Sequence, residues 1–259
     1  MSVALSLSGK VTLITGGSRG IGAATVRMFV QAGAKVAFSY QKARSQAEAL
    51  AKECGEANCH AIAGELDGPD SARALIAGTV KHFGRLDILV ANHGVWLAQD
   101  VGVDKMSEEQ WRSTLSINLD AVFGLVKHAV AQMKSQPRNG AAGHIVLISS
   151  TSGQRGEAFH VDYSSTKGAI ISMTKSLAAE LAPAGIYVNC VAPGWVDTDM
   201  SRPALEDPKT GEVIRRTIPL GRVAKAEEIA APVLFLCTEH AGFITGEIFN
   251  VNGGAVLVG

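Results

Sequence analysis

Short apolar runs alternate with longer segments of helical periodicity along the whole chain. The apolar runs, several of them rich in β-branched residues, cover residues 11–15, 35–40, 59–64, 86–91, 144–149, 186–191 and 247–251. Such runs are typical of parallel strands that are buried on both faces. Apolar positions recur with helical spacing over roughly residues 21–32, 45–54, 70–83, 107–135, 162–182 and 225–238. This alternation predicts an α/β fold, a doubly wound parallel seven-stranded sheet with helices on both faces.

The composition indicates one compact domain. The chain has 259 residues, of which 47% are hydrophobic and 19% charged, and its formal net charge is zero. We therefore expect a single domain over residues 1–259 that binds neither nucleic acid nor an anionic membrane. No apolar run approaches the roughly 20 residues of a membrane-spanning helix, and the first ten residues do not resemble a signal peptide. Four cysteines without a Cys-x-x-Cys pair favour a cytoplasmic protein with reduced thiols.

A glycine-rich turn follows the first predicted strand. Its sequence is Gly16-Gly17-Ser18-Arg19-Gly20-Ile21-Gly22, and a helical pattern begins directly after it. Glycine lets the backbone approach a pyrophosphate, while the free N–H groups and the dipole of the helix N-terminus face the anion. A tight turn that needs glycine only for its geometry is the alternative. The position between a strand and a helix favours nucleotide binding.

Tyr163 and Lys167 are four residues apart in a predicted helix and therefore share one face. A phenol is a poor acid or base near neutrality, because its ordinary pKa is about 10. A nearby cation lowers that pKa and brings it closer to the operating pH, which favours acid–base catalysis. Such pairs also arise by chance on exposed helices, so the pair gains its meaning from the other motifs.

The glycine turn and the Tyr-x-x-x-Lys pair resemble the cofactor and catalytic motifs of the short-chain dehydrogenase/reductase family. Further landmarks of that family follow in order, namely Asn92-His93-Gly94, Asn118, Ser150, Pro193-Gly194-Trp195-Val196-Asp197-Thr198 and Val251-Asn252-Gly253-Gly254. The resemblance covers essentially the whole chain. It implies a Rossmann-type fold with a dinucleotide-binding part at about residues 9–150 and a catalytic and substrate part at about 150–259. A stretch with several prolines and glycines, about 198–222, is expected to be an irregular, mobile lid over the substrate.

The resemblance also implies four catalytic residues. Tyr163 exchanges a proton with the substrate oxygen, and Ser150 donates a hydrogen bond to that oxygen. Lys167 binds the nicotinamide ribose and lowers the pKa of the tyrosine, while Asn118 holds a water that connects the lysine to solvent. Two alternatives stay open, because Ser149 adjoins Ser150 and Asn118 could be a packing amide.

The cofactor contacts follow from the same resemblance. The residues that we expect to bind it are Gly16, Ser18, Arg19, Gly20, Ile21, Gly22, Tyr40, Leu66, Asn92, Gly94, Tyr163, Lys167, Pro193, Gly194, Val196 and Thr198. The second strand ends at Tyr40 without the acidic residue that would accept hydrogen bonds from the adenosine ribose of NAD. Arg19 matches a position where relatives that prefer NADP carry a basic residue, and Lys42 and Arg44 could add positive charge. We expect NADP(H) to be preferred over NAD(H), and a site that accepts both is the alternative.

His93 stands where the family commonly has alanine, and a spacing or hydrogen-bonding role is expected for it rather than a titrating one. Glu65-Leu66 replaces the family's usual Asp-Val or Asp-Leu beside the adenine. No histidine pair has the spacing of a metal site, and we expect no metal.

The expected function is NADP(H)-dependent interconversion of a ketone and a secondary alcohol. The alternatives are a 3-oxoacyl-acyl-carrier-protein reductase, an NAD-dependent sugar or alcohol dehydrogenase, and a dinucleotide-binding regulator without catalysis. Ala179 stands where carrier-protein reductases often have arginine, so use of an acyl carrier protein is open. Related enzymes pack the helices equivalent to 107–135 and 162–182 across a two-fold axis. We therefore expect a homotetramer, with Phe249 near a second interface.

Overall fold

A computed structural model of the chain describes residues 4–137 and 140–258, so residues 1–3, 138, 139 and 259 of the predicted domain lie outside the described part. Seven strands form one parallel sheet with the order β3-β2-β1-β4-β5-β6-β7. They are β1 Val11–Ile14, β2 Lys35–Tyr40, β3 Cys59–Ala63, β4 Ile88–Ala91, β5 Gly143–Ile148, β6 Ile186–Pro193 and β7 Ile248–Val251. The predicted seven-stranded parallel sheet is confirmed.

Helices connect the strands and cover both faces of the sheet. They are α1 Gly20–Gln31, α2 Arg44–Cys54, α3 Pro69–Phe83, α4 Glu108–Leu115, α5 Ala121–Ser135, α6 Thr151–Arg155, α7 Val161–Leu181, α8 Arg202–Glu206, α9 Pro208–Thr217 and α10 Ala226–Phe235. Successive strand residues point to opposite faces. Ile14 therefore packs with the side chains of α1 and α10, whereas Leu13 packs with those of α3 and α5. No helix in residues 4–137 or 140–258 is long and apolar enough to cross a membrane.

The predicted helix over 107–135 is interrupted. A π-helical turn, Ser116–Asp120, separates α4 from α5, and Asn118 lies at its centre with its side chain fully buried. A π-turn inserts one residue into a helix and is frequent at functional sites. The insertion turns Asn118 toward the end of β4.

The stretch 198–222 is not irregular, which corrects the prediction. It contains α8 and α9, and Pro203 and Pro208 lie in their first turns, where proline is favourable. The Asp207 side chain caps α9 by accepting a hydrogen bond from the N–H of Thr210 at 2.7 Å. Leu205, Ile214 and Ile218 form a small apolar cluster of their own. The motion of this segment as a lid stays a prediction.

The strand order reverses between β1 and β4, which are neighbours in the sheet although β2 and β3 lie between them in the chain. Helices leave the two strands toward opposite faces at such a point. Ligands of open α/β sheets bind in the crevice outside the carboxyl ends of the strands there. The fold therefore places a binding crevice beside the glycine turn.

Candidate active site

One cavity of about 600 Å³ lies at the carboxyl ends of the strands. Every residue predicted to bind the cofactor lines it, from the glycine turn after β1 to Thr198 beyond β6. Ser150, Tyr163 and Lys167 line the same cavity, whereas Asn118 lies behind its wall. Residues that are far apart in sequence thus meet at one edge of the sheet.

The glycine turn is closely packed and has no room for larger residues. A Cβ atom on Gly22 would lie 2.1 Å from the carbonyl oxygen of Gly16, and Gly16 itself has φ of +65°. The Asn92 amide donates hydrogen bonds to the carbonyl oxygens of Thr15 and Gly16, at 3.0 and 3.3 Å. Helix α1 begins at Gly20, and its N-cap residue Arg19 makes no capping bond with its side chain. Free N–H groups and bare backbone fit the pyrophosphate of a dinucleotide.

The positive charge of Arg19 lies at the mouth of the turn, where 64% of its side chain is exposed. A guanidinium nitrogen is 3.6 Å from a carboxylate oxygen of Asp199, which pairs more closely with Arg202 at 2.7 Å. Lys42 lines the cavity after β2, whereas Arg44 is directed to Glu48 at 3.9 Å. The carboxylate of Glu65, which also lines the cavity, accepts a hydrogen bond from the Gln41 amide.

Tyr163 and Lys167 lie on α7 as the spacing predicts. The ammonium of Lys167 is 5.6 Å from the centre of the Tyr163 ring and donates a 2.8 Å hydrogen bond to the carbonyl oxygen of Ile148. The Ser150 hydroxyl caps α6 by accepting a 3.1 Å hydrogen bond from the N–H of Ser152, and it lies near enough to the phenol of Tyr163 to lower its pKa. The adjacent Ser149 hydroxyl is occupied, because it donates to the carbonyl oxygen of Lys167 at 2.7 Å. The contacts favour Ser150 over Ser149 as the serine beside the tyrosine.

The pKa values at the site differ from the expectation. The pKa of Tyr163 is raised to about 12, mainly by burial. The nearby Ser150 hydroxyl acts in the opposite direction, and the charge of Glu157 adds to the rise. The lowering by Lys167 that the spacing suggested does not appear. Burial also lowers the pKa of Lys167 to about 8. In this packed site, the loss of water around both groups outweighs the attraction between a cation and a phenolate.

The Asn118 side chain is hydrogen-bonded to both backbone groups of Val95. Its Oδ1 accepts a hydrogen bond from the N–H of Val95 at 2.8 Å, and its Nδ2 donates to the carbonyl oxygen of Val95 at 2.9 Å. A Cβ on Gly94 would lie 3.2 Å from Asn118 Oδ1 and 3.5 Å from the Lys167 amine. The side-chain amide therefore has hydrogen-bond partners at both its oxygen and its nitrogen. The water that Asn118 is expected to hold stays a prediction.

His93 makes two hydrogen bonds that connect separate parts of the site. Its Nε2 lies 3.0 Å from the carbonyl oxygen of Ile117, and its Nδ1 lies 2.9 Å from the Thr15 hydroxyl. A carbonyl only accepts, so Nε2 carries the hydrogen and Nδ1 accepts from Thr15. Burial, reinforced by the charge of Lys167, lowers the pKa of His93 to about 4. The neutral imidazole has the expected hydrogen-bonding role.

Two tryptophans on the cavity wall were not among the predicted site residues, although Trp195 lies within one of the quoted motifs. Trp96 comes two residues after Gly94, and Trp195 directly follows Gly194. Their ring centres are 5.8 Å apart, and the ring planes are nearly perpendicular. In the sequence, the one sign of their role was that tryptophan, a rare residue, stands shortly after a glycine near the end of a strand in both places.

Known proteins resemble this chain over its full length. Residues 16–256 match the family model described as enoyl-(acyl carrier protein) reductase. The chain is 37% identical over 255 residues to the 3-oxoacyl-acyl-carrier-protein reductase FabG of Salmonella typhimurium, covering 98% of this chain and 100% of the relative. It is 38% identical over 253 residues to the protein of the same name from Aquifex aeolicus, covering 96% and 98%.

Solved structures agree with these relatives. A short-chain dehydrogenase/reductase described as glucose/ribitol dehydrogenase from Brucella melitensis has a TM-score of 0.90 at 32% identity, over 99% of this chain and 100% of that chain. A blue fluorescent protein from a metagenomic library, in complex with NADPH, has a TM-score of 0.88 at 34% identity, over 97% and 100%.

The fold and site define an NAD(P)-dependent oxidoreductase that acts on CH–OH groups. The chain belongs to the short-chain dehydrogenase/reductase family and is similar to 3-oxoacyl-acyl-carrier-protein reductases.

Proposed function

We propose that this protein is an NADP(H)-preferring ketone reductase and secondary-alcohol dehydrogenase with Tyr163 as its acid and base. The observation that carries the proposal is the meeting of Ser150, Tyr163 and Lys167 with the glycine turn in one cavity. A nicotinamide dinucleotide, when bound, supplies or accepts the hydride. The residues of the glycine turn would hold its pyrophosphate, and Lys167 its nicotinamide ribose.

The side chains have complementary roles toward the substrate oxygen. Ser150 and Tyr163 present two hydroxyl groups that orient a carbonyl oxygen, and the Tyr163 phenol donates its proton as that oxygen gains negative charge. A tyrosine whose pKa is raised to about 12 stays protonated in this resting site, ready to act as an acid. In the reverse direction the phenolate is the base, and the nearby cation of Lys167 stabilises it.

The preference for NADP(H) rests on charge. Arg19 and Lys42 offer positive charge at the mouth of the cavity, and β2 ends at Tyr40 without an acidic residue. Of the two carboxylates nearby, Asp199 is paired with Arg202 and Glu65 accepts from Gln41. The ion pair with Arg202 partly neutralises Asp199 toward a 2′-phosphate, whereas Glu65 keeps its charge. One structural relative was solved in complex with NADPH.

Arg19→Ala tests this preference. A charge-assisted contact to the phosphate is worth roughly 1.5–3 kcal/mol, so we expect the variant to bind NADPH at least about tenfold more weakly. NADH binding should change little. The matched control is Arg27→Ala, because Arg27 lies on the same helix and pairs with Glu53. Titration of both cofactors into parent and variants gives the result, and equal parent affinities for NADPH and NADH would contradict the preference.

A second candidate is reduction of 3-oxoacyl groups on an acyl carrier protein. The names of the two curated relatives favour it. Ala179 argues for a weaker carrier contact, since it is exposed on α7 and offers no cation to an acidic partner. Comparing kcat/KM for a 3-oxobutanoyl carrier protein and for the same acyl group on a short thiol separates the two. A clear preference for the carrier-bound form would support this second function.

A further inference from the structure

Two tryptophans line one side of the cavity, and His160 stacks on the first of them. Trp96 stands perpendicular to Trp195, with ring centres 5.8 Å apart, and stacks on His160 with ring centres 5.1 Å apart and planes 17° from parallel. Trp96 and Trp195 line the same cavity as Ser150 and Tyr163. In a chain with only 5% aromatic residues, two indoles at right angles beside the catalytic hydroxyls form a distinct aromatic corner.

His160 supports Trp96, which is the first wall of this corner. His160 is buried, and its Nε2 and Nδ1 lie 2.8 Å and 3.1 Å from the carbonyl oxygens of Leu97 and Ala158. The imidazole can donate its single N–H to one of these carbonyls, of which that of Leu97 is the closer, while its face supports Trp96. The indole is therefore positioned before a substrate arrives, which lowers the entropic cost of binding.

The backbone beside His160 is strained. Phe159 has φ of +67° and is the one non-glycine residue with a positive φ in the described ranges. That conformation is unusual for a bulky side chain, and such strain persists where the surrounding structure enforces it, often at functional sites. The strained residue directly precedes His160, whose ring stacks on Trp96.

The second wall is fixed by the segment that follows β6. Trp195 packs against the cluster of Leu205, Ile214 and Ile218 in α8, α9 and the residues after them. Arg155 and Glu157 also line the cavity, and their opposite charges give no net attraction to a charged substrate. The two indole faces make the corner apolar, so it suits an uncharged flat ring.

We propose that Trp96 and Trp195 determine specificity, and that the preferred substrate is an uncharged ketone bearing an aromatic ring that lies in this corner. This inference rests on the proposed function, because it assigns the substituent of the ketone that Tyr163 protonates. A ring placed there meets one indole face to face and the other at its edge. Both arrangements are favourable for aromatic pairs, beyond the area that they bury.

Phenylacetone and cyclohexylacetone test this directly. Both ketones carry a six-membered ring one carbon from an unconjugated carbonyl, so they differ mainly in whether the ring is flat and aromatic. Aromatic pairs contribute about 0.5–1.5 kcal/mol beyond burial, so we expect kcat/KM with NADPH to favour phenylacetone by roughly two- to tenfold. In Trp96→Leu the ratio should fall to near one, and Trp96→Phe should keep more of it. Trp111→Leu is the control, because Trp111 lies on α4 and does not line the cavity.

Calorimetry separates the failure of this inference from the failure of the proposed function. The matching phenyl and cyclohexyl alcohols are titrated into enzyme loaded with NADPH, which cannot oxidise them. The aromatic corner is overturned if both ketones are reduced with equal kcat/KM. It is also overturned if a folded Trp96→Leu variant that binds NADPH keeps the preference for phenylacetone. In both cases the proposed function still stands. If neither ketone is reduced, the proposed activity on such ketones fails. Calorimetry then decides the inference, since tighter binding of the phenyl alcohol supports it and equal binding overturns it.

Discussion

At the scale of single residues, the amine of Lys167 is held in an environment that disfavours its charge. Burial lowers its pKa from 10.5 to about 8, although its nitrogen donates a hydrogen bond to the carbonyl oxygen of Ile148. The folded state therefore binds the proton less tightly than the unfolded state. Burying the charged amine therefore lowers the free energy of unfolding. This loss of stability is fully present below pH 8 and disappears as the pH rises through 10.5.

Lys167→Met should therefore stabilise the fold while abolishing activity. One pKa unit corresponds to about 1.4 kcal/mol, so the variant should gain on the order of 3 kcal/mol in unfolding free energy at neutral pH. The gain should shrink as the pH rises toward 10.5. Urea unfolding across this range measures it, with Lys175→Met as the control, since Lys175 lies on the same helix and is exposed. A variant less stable than its parent at neutral pH would contradict the reasoning.

The same pair shows what residue spacing predicts and what it does not. The four-residue interval put Tyr163 and Lys167 on one face of α7, and the distance of 5.6 Å from ammonium to ring agrees. The direction of the tyrosine pKa could not be predicted, because it depends on how closely distant segments such as the residues near Ser150 and Glu157 enclose the phenol.

At the scale of elements, His93 joins three of them. It follows β4, and its ring connects Thr15 at the end of β1 with Ile117 of the π-turn that carries Asn118. The aligned ends of these elements define the floor of the cavity. Alanine at this position would leave the Thr15 hydroxyl and the Ile117 carbonyl without this partner.

We expect His93→Ala to destabilise the protein by about 1–3 kcal/mol near neutral pH, because two partly buried hydrogen bonds are lost. The folded pKa of about 4 lies below the ordinary 6.5, so the stabilisation by the neutral imidazole is present above pH 6.5 and lost as the pH falls through 4. The difference in unfolding free energy between parent and variant should therefore become smaller in acid. Urea unfolding from acid to neutral pH tests this, with the exposed His240→Ala as control. A difference that stays constant with pH would contradict it.

Elements were predictable where the apolar pattern is regular. The strand patterns identified all seven strands, because buried parallel strands need continuous apolar residues. The π-turn at Ser116–Asp120 could not be predicted, since one inserted residue barely changes the helical periodicity. Helices α8 and α9 do not follow from the pattern, because a proline in mid-segment indicates a helix breaker, whereas Pro203 and Pro208 occupy first turns. The aromatic corner was missed because Trp96 and Trp195 meet only through the folded sheet.

At the scale of the whole molecule, we expect four chains to assemble through two isologous interfaces. One packs the helices of 107–135 and 162–182 across a two-fold axis, and the second lies near Phe249 and the C-terminal strand. Phe123 lies on α5 and is 52% exposed, so its ring is available for such a contact. Light scattering at micromolar concentration should give four times the chain mass of 27.0 kDa. Phe123→Asp should reduce the assembly to smaller species, because it places a charge in the predicted contact. A monomeric parent would contradict the assembly.

The topology of the sheet brings the proposed catalytic groups together. Tyr163→Phe tests the central claim, that Tyr163 is the acid. The phenyl ring packs as the phenol does but has no proton to donate. General acid catalysis is worth about 10²–10⁴-fold. We predict that single-turnover reduction of phenylacetone and cyclohexylacetone by the NADPH-loaded variant slows by at least a factor of about 100, while NADPH binds as in the parent. A variant that binds NADPH normally and reduces these ketones at a rate close to that of the parent would show that Tyr163 is not the acid.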